Sequence, residues 1–272
     1  MVWTPNTRKL HCRKSLSYPS DLTDEEWALV EPYMPGSAYE GRRRCTDLRA
    51  IIHAILYLLQ TGCQWSFLPK DFPPSSIVYY YFKRFSHDAT LERLHEALYR
   101  KTRQLEGHQD SPTFAIVDSQ SAKTGPDARG DVGYDAGKKV KGRKRHILVD
   151  ILGLMFKGKV HSAGIHDRDG LAIVCERFTS CFPAIKGICA DGGYQGPIAQ
   201  NASPLPLQIV KRTQKEFQLL PKRSIVERTF AWLGINRRLS KDVERYAVTS
   251  EALMSFAMVK LMVRRIARKD NS

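Results

Sequence analysis

Residues 114–119 read Phe-Ala-Ile-Val-Asp-Ser, four apolar residues followed directly by a carboxylate. A short, wholly apolar run is typical of a strand that is buried on both faces of a sheet. A second, mostly apolar run at residues 185–190 ends at Asp191 and is stopped by two glycines. The two runs predict neighbouring strands of one sheet, with Asp118 and Asp191 together on one rim.

The segments around these runs predict the rest of an α/β domain. Residues 145–151 and 154–163 have the pattern of a β-hairpin that turns near Gly153. Further elements are predicted at residues 167–178 (helix), 207–210 (strand), 223–244 (helix) and 250–268 (helix). The predicted domain begins with strands, including the hairpin, and continues with alternating helices and strands. This order indicates a mixed sheet flanked by helices and fits an RNase H-like core.

The N-terminal third has helical periodicity instead. Thr23, with Glu26 three residues later, forms a capping-box pattern that predicts a helix to about residue 33. Thr46 or Asp47 can cap a second helix, whose apolar residues follow helical spacing. Two more helices are predicted at residues 77–85 and 90–105.

A polar break at residues 107–112 indicates a domain boundary. We therefore predict a flexible basic arm at residues 1–17, an all-α, helix-turn-helix-like DNA-binding domain at residues 18–106, and the α/β domain at residues 112–268. Basic and aromatic residues alternate near Tyr80 and could contact DNA. A stripe of this kind equally fits a helix that packs its own core.

The composition narrows the class of partner. Lys and Arg number 43 against 28 Asp and Glu, a formal charge of +15, which favours nucleic acid over other anionic partners. The longest apolar run, residues 50–59, is far shorter than the roughly 20 residues that span a bilayer. No signal-peptide pattern opens the sequence, so we expect a cytoplasmic protein without membrane partners.

Three carboxylates could form a metal site. Asp118 and Asp191 follow apolar runs, and Glu227 is set among arginines in a basic, amphipathic segment. Carboxylate oxygens are ligands that Mg²⁺ prefers, and two such ions can promote in-line phosphodiester displacement. Glu227 could instead be an ordinary helix residue paired with Arg223. His166, Asp167 and Asp169 are rival ligands, although an acidic residue there also suits a helix N-terminus.

Basic residues near these carboxylates are candidate DNA contacts. One group accompanies Glu227: Arg223, Arg228, Arg237, Arg238 and Lys241. The other lies in or beside a glycine-rich basic connector predicted at residues 125–145: Lys141, Arg143, Lys144, Arg145 and His146. A solvated basic loop is the alternative interpretation for His146.

Five segments carry a family resemblance: IVDSQSAK (116–123), KGRKRHILVD (141–150), HDRDG (166–170), ADGGYQG (190–196) and VERTFAWLGINRRLSKD (226–242). In this order they resemble a bacterial insertion-sequence transposase of the DDE class, in the insertion sequence five family. LTDEEWALVEPYMP (22–35) resembles the amino-terminal helical domain of that family.

The resemblance implies that Asp118, Asp191 and Glu227 form a catalytic, metal-binding triad that uses Mg²⁺ or Mn²⁺. It implies cleavage of element ends and transfer of 3′-OH strands into target DNA. The expected partners are the terminal inverted repeats and target DNA, bound by a homodimer at the bacterial nucleoid.

The chain departs from the family at two positions. Related transposases carry a Tyr-Arg-Glu-Lys signature, of which Arg223 and Glu227 are present. Leu220 stands at the Tyr position and Gly234 at the Lys position. The departures leave open a non-catalytic DNA-binding regulator or a decayed or domesticated transposase. A nuclease of another RNase H-like family is a third hypothesis.

Overall fold

The computed structural model describes residues 16–36, 45–176, 178–210 and 221–270, with backbone alone for residues 178, 179, 221–223 and 270. The chain forms two compact units. Unit 1 comprises Met1–Gly107 and Ser255–Ser272, and unit 2 comprises His108–Met254. The predicted arm at residues 1–17 lies outside the described residues except for its last two.

The described helices are α1 (Asp24–Ala28), α2 (Leu48–Thr61), α3 (Ser75–His87), α4 (Thr90–Leu105), α5 (Asp167–Cys175), α6 (Phe178–Cys181), α7 (Pro197–Ala202), α8 (Pro221–Gly234) and α9 (Ala247–Asp270). Short 3₁₀ helices occupy Glu31–Tyr33, Trp65–Phe67, Gly192–Tyr194 and Arg237–Leu239. The strands are β1 (Phe114–Lys123), β2 (Gly133–Asp135), β3 (Val140–Val149), β4 (Met155–Ser162), β5 (Gly187–Ala190) and β6 (Leu207–Ile209).

The helix starts in unit 1 follow the predicted caps. The Thr23 hydroxyl accepts a hydrogen bond from the Glu26 amide, and the Glu26 carboxylate accepts one from the Thr23 amide, so the capping box is confirmed. Asp47 caps α2 by accepting from the Arg49 amide at 2.8 Å. Gly62, with a φ of 74°, ends that helix in the left-handed region where glycine is favoured.

The aromatic stripe of α3 divides between interior and surface. Tyr81 is 7% exposed and packs into the core, whereas Tyr80 is 57% exposed. Tyr79 contacts Trp65 edge to face, at 5.1 Å between ring centroids. Core packing therefore accounts for part of the stripe, while Tyr80 stays available to solvent.

Unit 2 is built on one mixed sheet in the order β2-β3-β1-β5-β6, with β4 also paired to β3. β3 is antiparallel to β1, β2 and β4. β1 and β5 are parallel, as are β5 and β6. The predicted mixed α/β class is confirmed, and so is the β3-β4 hairpin, whose turn holds Gly153 at a φ of 77°.

Two predicted boundaries inside the sheet are wrong. β1 does not end at Asp118; it continues to Lys123, because β3 pairs with it from Ile116 opposite Val149 to Lys123 opposite Gly142. The predicted basic connector at residues 125–145 therefore contains β2 and the first half of β3. Its basic residues from Lys141 to Arg145 belong to β3, where successive side chains point to opposite faces of the sheet.

The closing helix also begins and ends differently from the prediction. α9 covers Ala247–Asp270, and the residues from Ser255 onward are grouped with unit 1 rather than with the sheet. This division of the chain differs from the predicted α/β domain, which runs to residue 268. No helix within the described ranges is long and apolar enough to cross a membrane.

Candidate active site

Asp118 and Asp191 lie on adjacent parallel strands. Asp118 is within β1, and Asp191 directly follows β5. The register pairs Ile116 with Cys189, so each aspartate stands two residues beyond a paired position. Because neighbouring strands are about 4.8 Å apart, the sheet brings the two predicted carboxylates to the same level.

The surroundings of Asp118 concentrate negative charge. The pKa of Asp118 is raised to about 6, mainly by burial and also by the charges of Asp191 and Asp167, while the Ser119 amide and Lys138 act to lower it. The Ser119 amide donates to Asp118 Oδ1 at 2.7 Å. A carboxyl group in this setting is one that a bound cation would stabilise in its ionised form.

Asp167 is the third carboxylate that the structure brings here. It is the first residue of α5, whose N-cap His166 makes no side-chain capping bond. Asp167 Oδ1 accepts from Ser119 Oγ at 2.6 Å and from Lys144 Nζ at 2.8 Å. Burial opposes its ionisation, but these hydrogen bonds outweigh it and lower the pKa of Asp167.

Asp167 and Asp191 are neighbours as well. A Cβ added at Gly193 would lie 3.1 Å from Asp191 Oδ1 and 3.6 Å from Asp167 Oδ2, so both carboxylates flank this glycine. The other two rivals, His166 and Asp169, are exposed. Of the rival ligands, Asp167 is thus the one that joins Asp118 and Asp191.

Glu227 lies on α8, which packs against β1. On this helix Val226, Phe230 and Leu233 are buried, whereas Glu227 is exposed. Arg223 has no described side chain, and Leu220 lies outside the described residues. Within the described ranges, no three His, Cys, Asp or Glu side chains are arranged to hold a metal ion.

A buried chain of hydrogen bonds supports the loop that carries Asp191. Tyr194, fully buried, bonds through its hydroxyl to His146 Nε2 at 2.6 Å. His146 Nδ1 is 3.2 Å from His161 Nε2, and His161 Nδ1 is 3.0 Å from the Ser162 carbonyl. No local pattern in the sequence predicts this cluster, because its members are far apart along the chain.

The hydrogen-bond partners assign the protons of this chain. The Ser162 carbonyl can only accept, so His161 Nδ1 carries a proton and its Nε2 accepts from His146 Nδ1. His146 Nε2 then accepts from the Tyr194 hydroxyl. Burial is the main cause that lowers the pKa of His146 to about 3 and the main cause that raises the pKa of Tyr194. All three side chains are therefore neutral and act as structural links.

The neutral His146 predicts acid sensitivity of folding. Its pKa is about 3 in the folded protein against an ordinary 6.5, so the unfolded chain takes up a proton first as the pH falls. The stabilisation is present above pH 6.5 and is lost progressively below it, by about 2 kcal/mol between pH 7 and pH 5. Denaturant unfolding at these two pH values measures the difference.

The matched variant for this experiment is His146→Gln. It removes the titrating group, so its unfolding free energy should change less between pH 7 and pH 5 than that of the wild type. Equal slopes for the two proteins would contradict a neutral, buried His146. Absolute stability of the variant does not enter the comparison.

Apart from Arg223, whose side chain is not described, the predicted DNA-contact residues separate into two groups. Lys141, Arg228, Arg237 and Lys241 are exposed. Arg228 also stacks over Trp232, 5.0 Å from the ring centroid, and donates to the Leu152 carbonyl. These four side chains can reach a phosphate backbone.

The second group is buried, and its prediction as DNA contacts needs correction. Arg143, Lys144, Arg145, His146 and Arg238 are all less than a tenth exposed. Arg143 pairs with Asp242, Arg145 donates to the Leu239 and Lys241 carbonyls, and Arg238 pairs with Glu244. Lys144 binds Asp167 and the Ile165 carbonyl. These partners lie inside unit 2, so the side chains of this group are directed away from solvent.

Comparison with known families identifies the chain. Residues 109–262 match a family model described as "Transposase DDE domain". Residues 22–95 match a model described as "Putative transposase of IS4/5 family". No curated protein and no solved structure matches the chain. Since the first model spans more than half of the sequence, the chain belongs to the family of transposases with a DDE domain.

Proposed function

We propose that this transposase cleaves the ends of an insertion element and transfers the 3′-OH strands into target DNA, with Asp118, Asp191 and Glu227 as catalytic residues. The observation that carries the proposal is the position of Asp118 and Asp191, each two residues beyond the paired Ile116 and Cys189 of adjacent parallel strands. The position of α8 against β1 supports the assignment of Glu227.

The side chains fit a divalent metal by their chemistry. Asp118, Asp191 and Glu227 offer hard oxygen ligands of the kind that Mg²⁺ and Mn²⁺ take. The mutual repulsion that helps to raise the pKa of Asp118 is what a bound cation would relieve. When bound, a pair of such ions activates the attacking oxygen and stabilises the leaving one.

Neighbouring residues position these carboxylates. Ser119 donates to Asp167 through its hydroxyl and to Asp118 through its amide, which ties the two together. Lys138 donates to the Ser119 carbonyl at 3.3 Å and places an exposed ammonium group beside Asp118, where it can meet a phosphate. Tyr194 anchors the loop after Asp191 to His146.

The strand order β4-β3-β1-β5-β6, antiparallel on one side of β1 and parallel on the other, supports an RNase H-like core. Within the IS4/5 group we propose the insertion sequence five family, on the motifs around Asp118, Asp191 and Glu227. The helices of residues 24–105 would then form the DNA-binding domain. Because an element has two ends, we propose a homodimer on the DNA, acting at the bacterial nucleoid.

The test uses a duplex that carries the inverted repeats flanking the gene, incubated with the protein and Mg²⁺. Nicks at the element ends, followed by joined products with a target plasmid, are the expected result. Binding without nicks in either Mg²⁺ or Mn²⁺ would contradict catalysis and favour a regulator or decayed transposase. Cleavage without joining would favour a nuclease.

A further inference from the structure

A basic cavity of about 560 Å³ lies in unit 2 at the far end of β1. Its walls include Lys123 at the end of β1, Tyr134 of β2, Lys139 in the β2-β3 turn and Lys141 of β3. Pro126, just after β1, also lines it. We call this feature the lysine cavity. The lysine cavity is separate from the carboxylate cluster of Asp118, Asp167 and Asp191, because none of these three residues lines it.

The chemistry of the lysine cavity suits an anion. Lys123, Lys139 and Lys141 are all exposed, and no described ion pair joins any of them to a carboxylate. The described lining contains no acidic residue. Three like charges around one cavity repel each other unless an anion sits between them.

The sheet fixes the walls of the lysine cavity. Tyr134 is directly opposite Lys141 across β2 and β3, and Lys123 is opposite Gly142. Lys139 has a φ of 54°, an uncommon value for a residue other than glycine, and the turn holds it over the same cavity. Tyr134 is 57% exposed, so its ring and hydroxyl are accessible to a ligand.

The lysine cavity is also in line with the carboxylates. Lys123 follows Asp118 by five residues on β1, a separation of about 16 Å at the usual rise of a strand. Lys138, beside Asp118, precedes Lys139 directly. Successive phosphates of one DNA strand are about 3.4 Å apart along the axis, so about five nucleotides span this distance.

We propose that the lysine cavity binds the phosphate backbone of duplex DNA about five nucleotides from the phosphodiester that the carboxylates attack. The position relative to the cleavage point rests on the proposed function. The affinity for duplex DNA does not, because backbone contacts are independent of sequence and of catalysis. A free phosphate compound is the other possible source of the same chemistry, and the experiment separates the two.

The first measurement is the salt dependence of binding to a DNA duplex of arbitrary sequence, in the absence of divalent metal. It compares the wild-type full chain with the triple variant Lys123→Gln/Lys139→Gln/Lys141→Gln. Each lost phosphate contact reduces the slope of log K against log salt by about 0.9, so the triple variant should lose about 2.7. Lys186→Gln is the control, since Lys186 is exposed and directly precedes β5, at the opposite end of that strand from Asp191.

The second measurement locates the contact. A neutral methylphosphonate is placed at single positions of the inverted-repeat duplex, and binding by wild type and triple variant is compared. A substitution about five nucleotides from the cleavage point should weaken wild-type binding by about tenfold at 0.1 M salt. It should leave the triple variant unaffected, because the lysine that contacts this phosphate is among the three that are replaced.

The outcomes separate the two proposals. An unchanged salt slope in a folded triple variant overturns the lysine cavity as a DNA site, whether or not the wild type cleaves. A reduced slope with no cleavage by the wild type supports the cavity and contradicts the proposed function. Binding of inorganic pyrophosphate that needs the three lysines, with duplex affinity unchanged, overturns the DNA assignment in favour of a free ligand.

Discussion

Asp118→Asn is expected to abolish DNA cleavage while DNA binding stays intact. The substitution keeps the shape of the side chain but removes a negative charge from the group that shares its surroundings with Asp191 and Asp167. A lost metal ligand costs several kcal/mol of transition-state stabilisation, which corresponds to a rate lower by about a thousandfold or more. Cleavage of the inverted-repeat duplex measures the rate, and a gel-shift assay measures binding.

Asp191→Asn and Glu227→Gln are expected to have the same effect. A folded Glu227→Gln variant that cleaves normally would remove Glu227 from the triad. Asp167→Asn is the informative comparison, since Asp167 is the carboxylate that the structure brings next to Asp118 and Asp191. Its bonds to Ser119 and Lys144 describe a positioning residue, so we expect a smaller loss of rate than for Asp118→Asn.

The control for this series is Asp169→Asn. Asp169 is exposed, lies two residues after Asp167 on the same helix, and should tolerate the change. Thermal unfolding of every variant separates lost chemistry from lost folding. If Asp167→Asn is inactive and Glu227→Gln is active, with both folded, the third ligand is Asp167 and the proposed triad is wrong.

Local patterns were enough to predict much of the sheet and two of the carboxylates. A strand-length apolar run can be recognised from its own residues, so Asp118 could be placed on a strand and Asp191 at the end of one. The capping box at Thr23 could be predicted for the same reason, because its two partners are only three residues apart. The pairing of β1 with β5 could be predicted because buried parallel strands have a recognisable composition.

The interior of β3 could not be predicted in this way. Basic side chains are almost never fully buried unless they are paired, so a run of them predicts a segment that is exposed to solvent or contacts an anionic partner. The partners of Arg143 and Arg145 lie about a hundred residues further along the chain, at Asp242 and Leu239. Nothing within the local sequence reveals such contacts, and the same limitation applies to Tyr194 and His146.

Arg143→Met is expected to destabilise unit 2 strongly. Arg143 and Asp242 are both fully buried, with 3.2 Å between Arg143 Nη1 and Asp242 Oδ1. The guanidinium also donates to the carbonyls of Arg129, Glu244 and Arg245. Removing one partner of a buried pair leaves an uncompensated charge and costs about 3 to 5 kcal/mol, a large share of the roughly 5 to 15 kcal/mol that holds a typical domain together.

Denaturant unfolding of the full chain measures this loss, and Lys141→Met is the matched control. Lys141 is two residues earlier on β3 and exposed, so its substitution should change stability by less than about 0.5 kcal/mol while weakening DNA binding. The double variant Arg143→Met/Asp242→Leu should recover part of the loss, because it leaves no buried charge unpaired. An Arg143→Met protein that is as stable as the wild type but binds DNA poorly would show that Arg143 contacts DNA after all.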